Sequence, residues 1–223
     1  MTYTYCEAAM WHIMMPAAFW YLSQQEPGWD MSALKLKSKQ IYRQMVSRTP
    51  DIGSMTKNPL RVCMTAGMLW LSVYEAAEGH MSEERFGEMV DASMRAPLVQ
   101  KFYRGKAKTA FTVKAQQRQA EVAARTDAAS NPFQWDAEII LGGDADEYTI
   151  LYHQCGLCAL GRQEGLSHLV PYMCALDIMS IDWMGGVLHR TKTLAAGGDC
   201  CDFYICKKDS KWDVEHKKGE SLC

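Results

Sequence analysis

The sequence has no long block of like charge. Its 24 Lys and Arg residues nearly balance 26 Asp and Glu residues, so the formal net charge is −2. The densest basic stretch, residues 101–114, is interrupted by Gly105 and by polar residues, which is typical of a solvated surface. Because nucleic-acid binding depends on clustered positive charge, we expect no nucleic-acid partner.

The sequence also has no run that is typical of a membrane span or a secretion signal. The apolar stretch at residues 8–22, AAMWHIMMPAAFWYL, has no basic residues before it, contains His12 and is too short to cross a bilayer. We expect a buried helix there and no membrane partner. Nine cysteines without a secretion signal favour a reducing compartment, so the expected location is the cytoplasm.

Internal repeats and low-complexity segments are absent, whereas methionine and tryptophan are abundant. The chain has 15 Met and 7 Trp among 223 residues. Core filling explains such residues most simply, and a soft cavity for an apolar ligand is the alternative. With 48% hydrophobic and 22% charged residues, the chain is typical of a globular protein with one large domain or two small ones.

Residues 1–130 predict a helical region and residues 131–223 an α+β region that carries the site. The expected helices lie at residues 5–25, 32–48, 59 to about 78, 83–94 and 106 to about 126. The runs FQWDAEIIL and YTILYHQC then predict one β-hairpin, and VLHRTKTL and CCDFYICK predict a second. Between the hairpins, residues 158–184 are predicted to be helical, with a break at Gly165. The predicted fold is α+β: a helical N-terminal part, then an antiparallel sheet of two hairpins with a helix packed on it, in one integrated domain.

The stretch GGDCCDF at residues 197–203 carries two adjacent cysteines at the start of the last predicted strand. Because side chains alternate along a strand, Cys201 shares a face with Phe203 and Ile205, and Cys200 lies on the opposite face. The apolar face predicts that Cys201 points inward and Cys200 outward. Cys201 is then either a functional thiol or simply a small buried hydrophobic residue.

The predicted helix at 158–184 places a carboxylate beside a buried stripe. The stripe repeats at spacings of three and four and consists of Leu166, Leu169, Val170, Met173, Cys174, Ile178 and Ile181. Asp177 follows Cys174 by three residues. Because a buried carboxylate is costly unless it is paired or used, Asp177 is either a site residue or a locally paired group at the edge of the stripe.

The CGLC motif at residues 155–158 ends a predicted strand and begins a helix. Cys155 and Cys158 suit a redox pair, because a helix N-terminus lowers thiol pKa values, or one half of a metal site. No parallel strand–helix unit precedes the motif, and the sequence has no second CxxC. The motif by itself is therefore a weak indication of either function.

The segment from Cys155 to Phe203 resembles the signature region of the L-2-amino-thiazoline-4-carboxylic acid hydrolase family. The resemblance depends on Cys155, Glu164–Gly165, Pro171, Cys174-x-x-Asp177, Arg190–Thr191, Thr193, Gly197 and Cys201-Asp202-Phe203. The helical part, around LWLSVYEAAEGHMSEE, resembles the family more loosely. The resemblance implies a hydrolase that opens a small cyclic amidine, such as L-2-amino-thiazoline-4-carboxylate, to carbamoyl-cysteine, with no cofactor expected.

The resemblance also implies a Cys/Asp site for a small-molecule substrate. Cys201 is the first candidate for the nucleophile and Cys174 the second, with Asp177 to hold the amidinium and to shuttle protons. Arg190 would bind the substrate carboxylate. Further substrate-binding candidates are Thr193, Gly197 with its neighbour Gly198, and Glu164, and the candidate bases are His153, His168 and His189.

A more distant resemblance is to 4-vinyl reductase and phenol-sensing domains, which end in Glu-x-x-Cys-x-Ala-x-Gly-x-x-x-Cys and hold zinc. Here Arg190 and Thr193 replace the first two ligands of that pattern. A rearranged zinc site is therefore the alternative to no cofactor. Its candidate ligands are Cys155, Cys174, Asp177 and Cys201. The alternatives to an enzyme are a sensor-like ligand-binding protein and a redox or zinc-binding protein, and a homo-oligomer is compatible with each.

Overall fold

The computed structural model describes residues 1–220, with side chains through residue 216. The architecture is α+β, as predicted, with a helical N-terminal part followed by an antiparallel sheet and further helices. The N-terminal helices are α1 (Tyr5–Gln25), α2 (Met31–Arg48), α3 (Arg61–Ala76), α4 (Glu83–Met94), α5 (Pro97–Lys106) and α6 (Val113–Ala124). The later helices are α7 (Gly156–Glu164), α8 (Val170–Cys174), α9 (Leu176–Trp183) and α10 (Lys211–Glu220).

Polar residues mark where several helices begin. Asp30, Ser82 and Thr112 accept backbone N–H groups through their side chains and so cap α2, α4 and α6. The prediction of one helix from residue 106 to about 126 is wrong, because α5 ends at Lys106 and a turn leads to the Thr112 cap. Pro97 in the first turn of α5 is the signal that identifies this additional helix.

The helical segment predicted at residues 158–184 is confirmed, as is its predicted break at Gly165. The structure divides this segment into α7, α8 and α9. Gly165 ends α7 in a left-handed conformation with φ of 70°, and Pro171 lies in the first turn of α8, where its missing N–H costs no hydrogen bond. The divisions let α9 begin at Leu176, so that Asp177 lies in its first turn.

The sheet is antiparallel and has the strand order β1-β2-β4-β3. Its strands are β1 (Asp136–Leu141), β2 (Glu147–Gln154), β3 (Gly186–His189) and β4 (Cys201–Lys207). Both predicted hairpins are confirmed, and the pairing of β2 with β4 joins them. β3 ends earlier than predicted because the Thr191 and Lys192 N–H groups donate to Asp202 Oδ1 instead of continuing the strand ladder.

Apolar side chains form a large core among the helices and a smaller one on the sheet. The predicted buried helix is confirmed in α1, where Met15 and Leu22 are buried. α9 contributes Leu176 to the large core and Ile181 to the smaller one. α9 therefore contacts both cores. Over the described residues, every helix is too short or too polar to cross a membrane.

Candidate active site

An ion pair between Asp177 and Arg190 forms the centre of the candidate site. Arg190 Nη1 donates to Asp177 Oδ2 at 3.0 Å and to the Cys174 carbonyl oxygen at 3.1 Å. The guanidinium carbon also lies 5.2 Å from the centroid of the Phe203 ring, which is a cation–π distance. These contacts join the start of α9 to the end of β3, so segments that carry separate motifs of the sequence meet here.

Asp177 has an unusual pKa for a carboxyl group. Burial raises the pKa of Asp177 from its ordinary 3.8 to about 7, although the charge and hydrogen bond of Arg190 oppose the effect. The side chain is nevertheless 38% exposed, because it faces a cavity. Asp177 can therefore both accept and release a proton near neutral pH, which general acid–base catalysis requires.

The cavity has a volume of about 420 Å³ and lies between the N-terminal helices and α7–α9. Its wall is mostly apolar. Among the wall residues that the structure describes, Asp177 is the only one with a formal charge. Methionine and aromatic side chains form much of the remaining wall: Met10, Met14, Met55, Met94, Met173, Trp70 and Phe102.

Cys63 and Tyr103 also line this cavity, and the sequence does not single them out. Burial, together with the charge of Asp177, raises the pKa of the Cys63 thiol to about 12. Burial likewise raises the pKa of Tyr103. Both groups keep their protons at neutral pH and can donate hydrogen bonds to a ligand. A cavity is the alternative to core filling that the abundance of methionine and tryptophan leaves open, but no local pattern marks these two positions.

Cys201 and Cys174 both lie within electrostatic range of Asp177 and Arg190. Cys201 is buried, as predicted, and its Sγ accepts a hydrogen bond from the Leu194 N–H at 3.2 Å. Burial raises the pKa of Cys201, and it raises the pKa of Cys174 to about 12. A raised pKa favours the protonated thiol, so a nucleophilic role requires a base or a cationic ligand nearby.

The predicted residues Thr193 and Gly197 shape the connection between β3 and β4. Thr193 Oγ1 accepts from the Ala196 N–H at 3.1 Å, and Gly197 has φ of 86°, a left-handed conformation that favours glycine. The Gly197 and Gly198 N–H groups donate within the turn, to the Leu194 and Thr193 carbonyl oxygens. The N–H group that reaches the candidate nucleophile is therefore that of Leu194, and the glycine N–H groups are already engaged.

The two thiols of the CGLC motif interact at the N-terminus of α7. Their hydrogen bond lowers the pKa of Cys158 and, together with burial, raises the pKa of Cys155. Gly156 is required between them, because a Cβ there would lie 2.3 Å from the Phe133 carbonyl oxygen. Both cysteines are free thiols. Redox and metal-binding roles for the pair stay predictions.

The structure places Glu164 in an ion pair at the C-terminal end of α7. Arg48 of α2 donates to it from Nε, at 3.0 Å, and from Nη2. The Glu164 side chain is only 3% exposed, and it is not part of the described cavity wall. The pair holds α7, and with it Cys155 and Cys158, against α2. A role of Glu164 in substrate binding stays a prediction.

The prediction that Cys200 faces outward is wrong, because Cys200 is 9% exposed. It precedes β4, so the alternation of strand side chains does not apply to it. Two of the candidate bases have partners away from the ion pair. His153 is exposed and lies 3.7 Å from Glu138, and His168 packs edge-on against the Tyr74 ring.

Metal-ligating side chains converge at a different place from the predicted zinc site. His189, Cys206 and Asp213 bring ligand atoms within 4.8 Å of one another. They lie on the face of the sheet opposite Cys201, because Cys206 alternates with Ile205 along β4. The predicted zinc ligands form a separate group, in which Asp177 is bound to Arg190. A zinc site built from Cys155, Cys174, Asp177 and Cys201 stays a prediction.

A protein-family model described as L-2-amino-thiazoline-4-carboxylic acid hydrolase matches residues 62–205, from α3 to β4. The chain belongs to this family. The matched region contains the ion pair of Asp177 and Arg190, and it contains most of the cavity wall, whereas the wall residues from α1 and Met55 lie outside it. No curated protein and no solved structure matches the chain. The family description therefore identifies the protein as a member of a group named for hydrolase activity.

Proposed function

We propose that the protein hydrolyses a carbon–nitrogen bond in a small cyclic amidine, as in the opening of L-2-amino-thiazoline-4-carboxylate to carbamoyl-cysteine. The family description supports a hydrolase of this kind. The observation that carries the proposal is Asp177, a carboxyl group with a pKa of about 7 on the wall of a cavity. Such a group can bind an amidinium when ionised and can move protons at neutral pH.

Cys201 is the proposed nucleophile. An amidinium against Asp177 brings positive charge close to the sulfur and so favours the thiolate. Asp177 takes the thiol proton, and the sulfur forms a bond to the amidine carbon. The ring carbon–nitrogen bond then breaks, and the leaving nitrogen takes the proton from Asp177. The carbon keeps its bond to the ring sulfur, so the carbamoyl-cysteine formed is the S-carbamoyl isomer. The Leu194 N–H, 3.2 Å from Sγ, stabilises the negative charge that develops on the sulfur.

Water completes the proposed reaction. Its oxygen adds to the carbon of the enzyme-bound intermediate while Asp177 accepts one of its protons. The bond from that carbon to Cys201 then breaks, and the proton held by Asp177 restores the thiol. The remaining hydroxyl proton passes to the released amine as the carbonyl group forms. Arg190 keeps Asp177 in place through Nη1. Cys174 is the alternative nucleophile, because it too lies within electrostatic range of Asp177.

Mass spectrometry tests this proposal directly. The purified protein is incubated with L-2-amino-thiazoline-4-carboxylate, and carbamoyl-cysteine above a control without enzyme supports the hydrolase. Asp177→Asn should abolish the product while the variant remains folded. Product at the wild-type rate from that variant, or no product from this and related cyclic amidines, contradicts the proposal. Cys201→Ser and Cys174→Ser, assayed side by side, decide which thiol attacks.

The apolar wall of the cavity favours a second candidate, a protein that binds a small ligand without reacting with it. Methionine and aromatic side chains supply binding energy by burial, whereas Asp177 supplies the charge. An amidine that raises the thermal midpoint of the protein and is recovered chemically unchanged supports this candidate. Turnover of the same amidine excludes it.

A further inference from the structure

The cavity that contains Asp177 is a poor complement to L-2-amino-thiazoline-4-carboxylate. That molecule has an amidine and a carboxylate on one small ring, so it requires both an anion and a cation from its site. Among the described wall residues there is no lysine, arginine or histidine, and Asp177 carries the only formal charge. A carboxylate inside the cavity would meet the charge of Asp177, and no described wall residue would offer it an opposite charge.

We infer that the preferred substrate is an amidine with a large apolar body and without a carboxylate on that body. This inference rests on the proposed function, which places the amidine against Asp177. The apolar body then occupies the rest of the cavity, where methionine, Trp70 and Phe102 side chains surround it. The preferred substrates are thus larger and more apolar than the family description by itself indicates.

The volume of the cavity supports a body larger than one small ring. Cavities of about 300–1,000 Å³ hold drug-sized ligands. The cavity here has a volume of about 420 Å³. A single small ring would leave much of this apolar space unfilled, and the wall would lose the dispersion contacts that a larger body supplies. Affinity should therefore increase with the size of the apolar substituent until the cavity is filled.

The methionines of the wall belong to separate parts of the chain. Met14 lies in α1, Met94 at the end of α4 and Met173 in α8, while Met55 lies in the connection before α3. Methionine side chains are unbranched and polarisable, so they adapt to apolar groups of different shapes. The wall should therefore select for apolar character rather than for one exact outline, and several apolar amidines should bind.

Two cations lie close to wall residues but have partners of their own. Arg190 Nη1 binds Asp177 and the Cys174 carbonyl oxygen. The Lys106 ammonium lies 4.2 Å from the centroid of the Phe102 ring, and burial lowers the pKa of Lys106. A carboxylate in the cavity could recruit either cation only by breaking these contacts. The resting arrangement therefore favours a ligand without a carboxylate.

Benzamidine and benzoate are matched probes, because they share one ring and differ in a cationic or an anionic head. Calorimetric titration of the full chain should show benzamidine binding at least about tenfold more tightly than benzoate. Asp177→Asn should remove most of this preference, since it removes the charge that distinguishes the heads. Thermal midpoints measured with each probe should rank the two affinities in the same order and so provide an independent readout.

Two cavity variants test where the apolar body lies. Ala66→Phe adds a ring to the wall and should abolish benzamidine binding. Leu98 also lines the cavity but is 60% exposed, so Leu98→Ser should fold normally and weaken binding by several fold. The second variant keeps the test decisive if the first does not fold. Unchanged binding in Leu98→Ser, or benzoate binding as tight as benzamidine, overturns the inference.

Failure of this inference and failure of the proposed function give different results. Benzamidine binding without hydrolysis of any cyclic amidine contradicts the proposed hydrolase function but still supports apolar amidines as the ligand class. The converse case is tested by comparing the turnover of L-2-amino-thiazoline-4-carboxylate with that of a phenyl-substituted aminothiazoline that lacks the carboxylate. Faster turnover of L-2-amino-thiazoline-4-carboxylate contradicts the apolar substrate class but still supports the hydrolase.

Discussion

Arg190 Nη1 lies 3.0 Å from Asp177 Oδ2, yet the pKa of Asp177 is raised to about 7. Burial therefore outweighs the attraction of the guanidinium group. The contact holds the carboxyl group in place at the junction of α9 and β3, but it does not prevent the group from taking up a proton near neutral pH. Protonation of Asp177 should consequently affect both the stability of the protein and its proposed chemistry.

Asp177→Asn should change how stability depends on pH. The folded protein holds the Asp177 proton up to about pH 7, whereas the unfolded chain releases it near the ordinary value of 3.8. The contribution of protonated Asp177 to wild-type stability is therefore fully present below pH 3.8 and is lost as the pH rises from there to about 7. Because the Asn variant has no such loss, its thermal midpoint minus that of wild type should increase from about pH 5 to about pH 8.

The size of this effect is limited by the exposure of Asp177 to the cavity. We expect a change of about 1–2 kcal/mol across that range, a fraction of the value for a fully buried group. Asp182→Asn is the matched control, because Asp182 lies on the same helix and pairs with Lys208 at the surface. A pH dependence that is the same for both variants contradicts a raised pKa of Asp177.

The pH profile of catalysis should report the same group. We expect kcat/KM for a cyclic amidine to rise with pH through a midpoint of about 7, because Asp177 must be ionised to accept a proton. Arg190→Gln removes the charge that opposes the effect of burial, so the midpoint should move upward by about one unit or more. An unchanged midpoint in this variant would show that Arg190 does not tune Asp177.

Cys201→Ser should lower kcat by about a hundredfold or more, because a hydroxyl is a far weaker nucleophile than a thiolate. Cys200→Ser is the matched control, since Cys200 is adjacent in sequence and also buried but precedes β4. Its kcat should remain within about twofold of wild type. Steady-state kinetics and thermal midpoints of both variants make the comparison. Equal losses of activity would point to packing rather than to nucleophilic attack.

Glu164→Gln and Arg48→Gln should destabilise the protein by similar amounts, about 1–3 kcal/mol, because each leaves its partner without a charged hydrogen bond. The double variant should lose little more than either single variant, since both remove one interaction. Urea titrations measure these free energies of unfolding. A rise in KM for Glu164→Gln that Arg48→Gln does not share would instead support a substrate-binding role for Glu164.

Local sequence patterns predict the parts of this fold that depend on near neighbours. Side-chain alternation along β4 places Cys201, Phe203 and Ile205 on one face, and all three are buried. Cys200 precedes the strand, where alternation does not hold, and its predicted exposure is wrong for that reason. Gly165 ends α7 at the predicted break, whereas the division between α8 and α9 at Ala175 is not predicted, because the apolar periodicity continues across it.

The sequence by itself determined the family and most candidate site residues, because Cys155, Asp177 and Cys201 belong to motifs that can be recognised locally. Only the tertiary structure decided that Arg190 binds Asp177 and that Cys63 and its neighbours form a cavity beside it. Whether packed helices meet closely or leave a space depends on the side chains of several distant segments together. No local sequence pattern predicts that outcome, so the presence and shape of the apolar cavity follow from the packing alone.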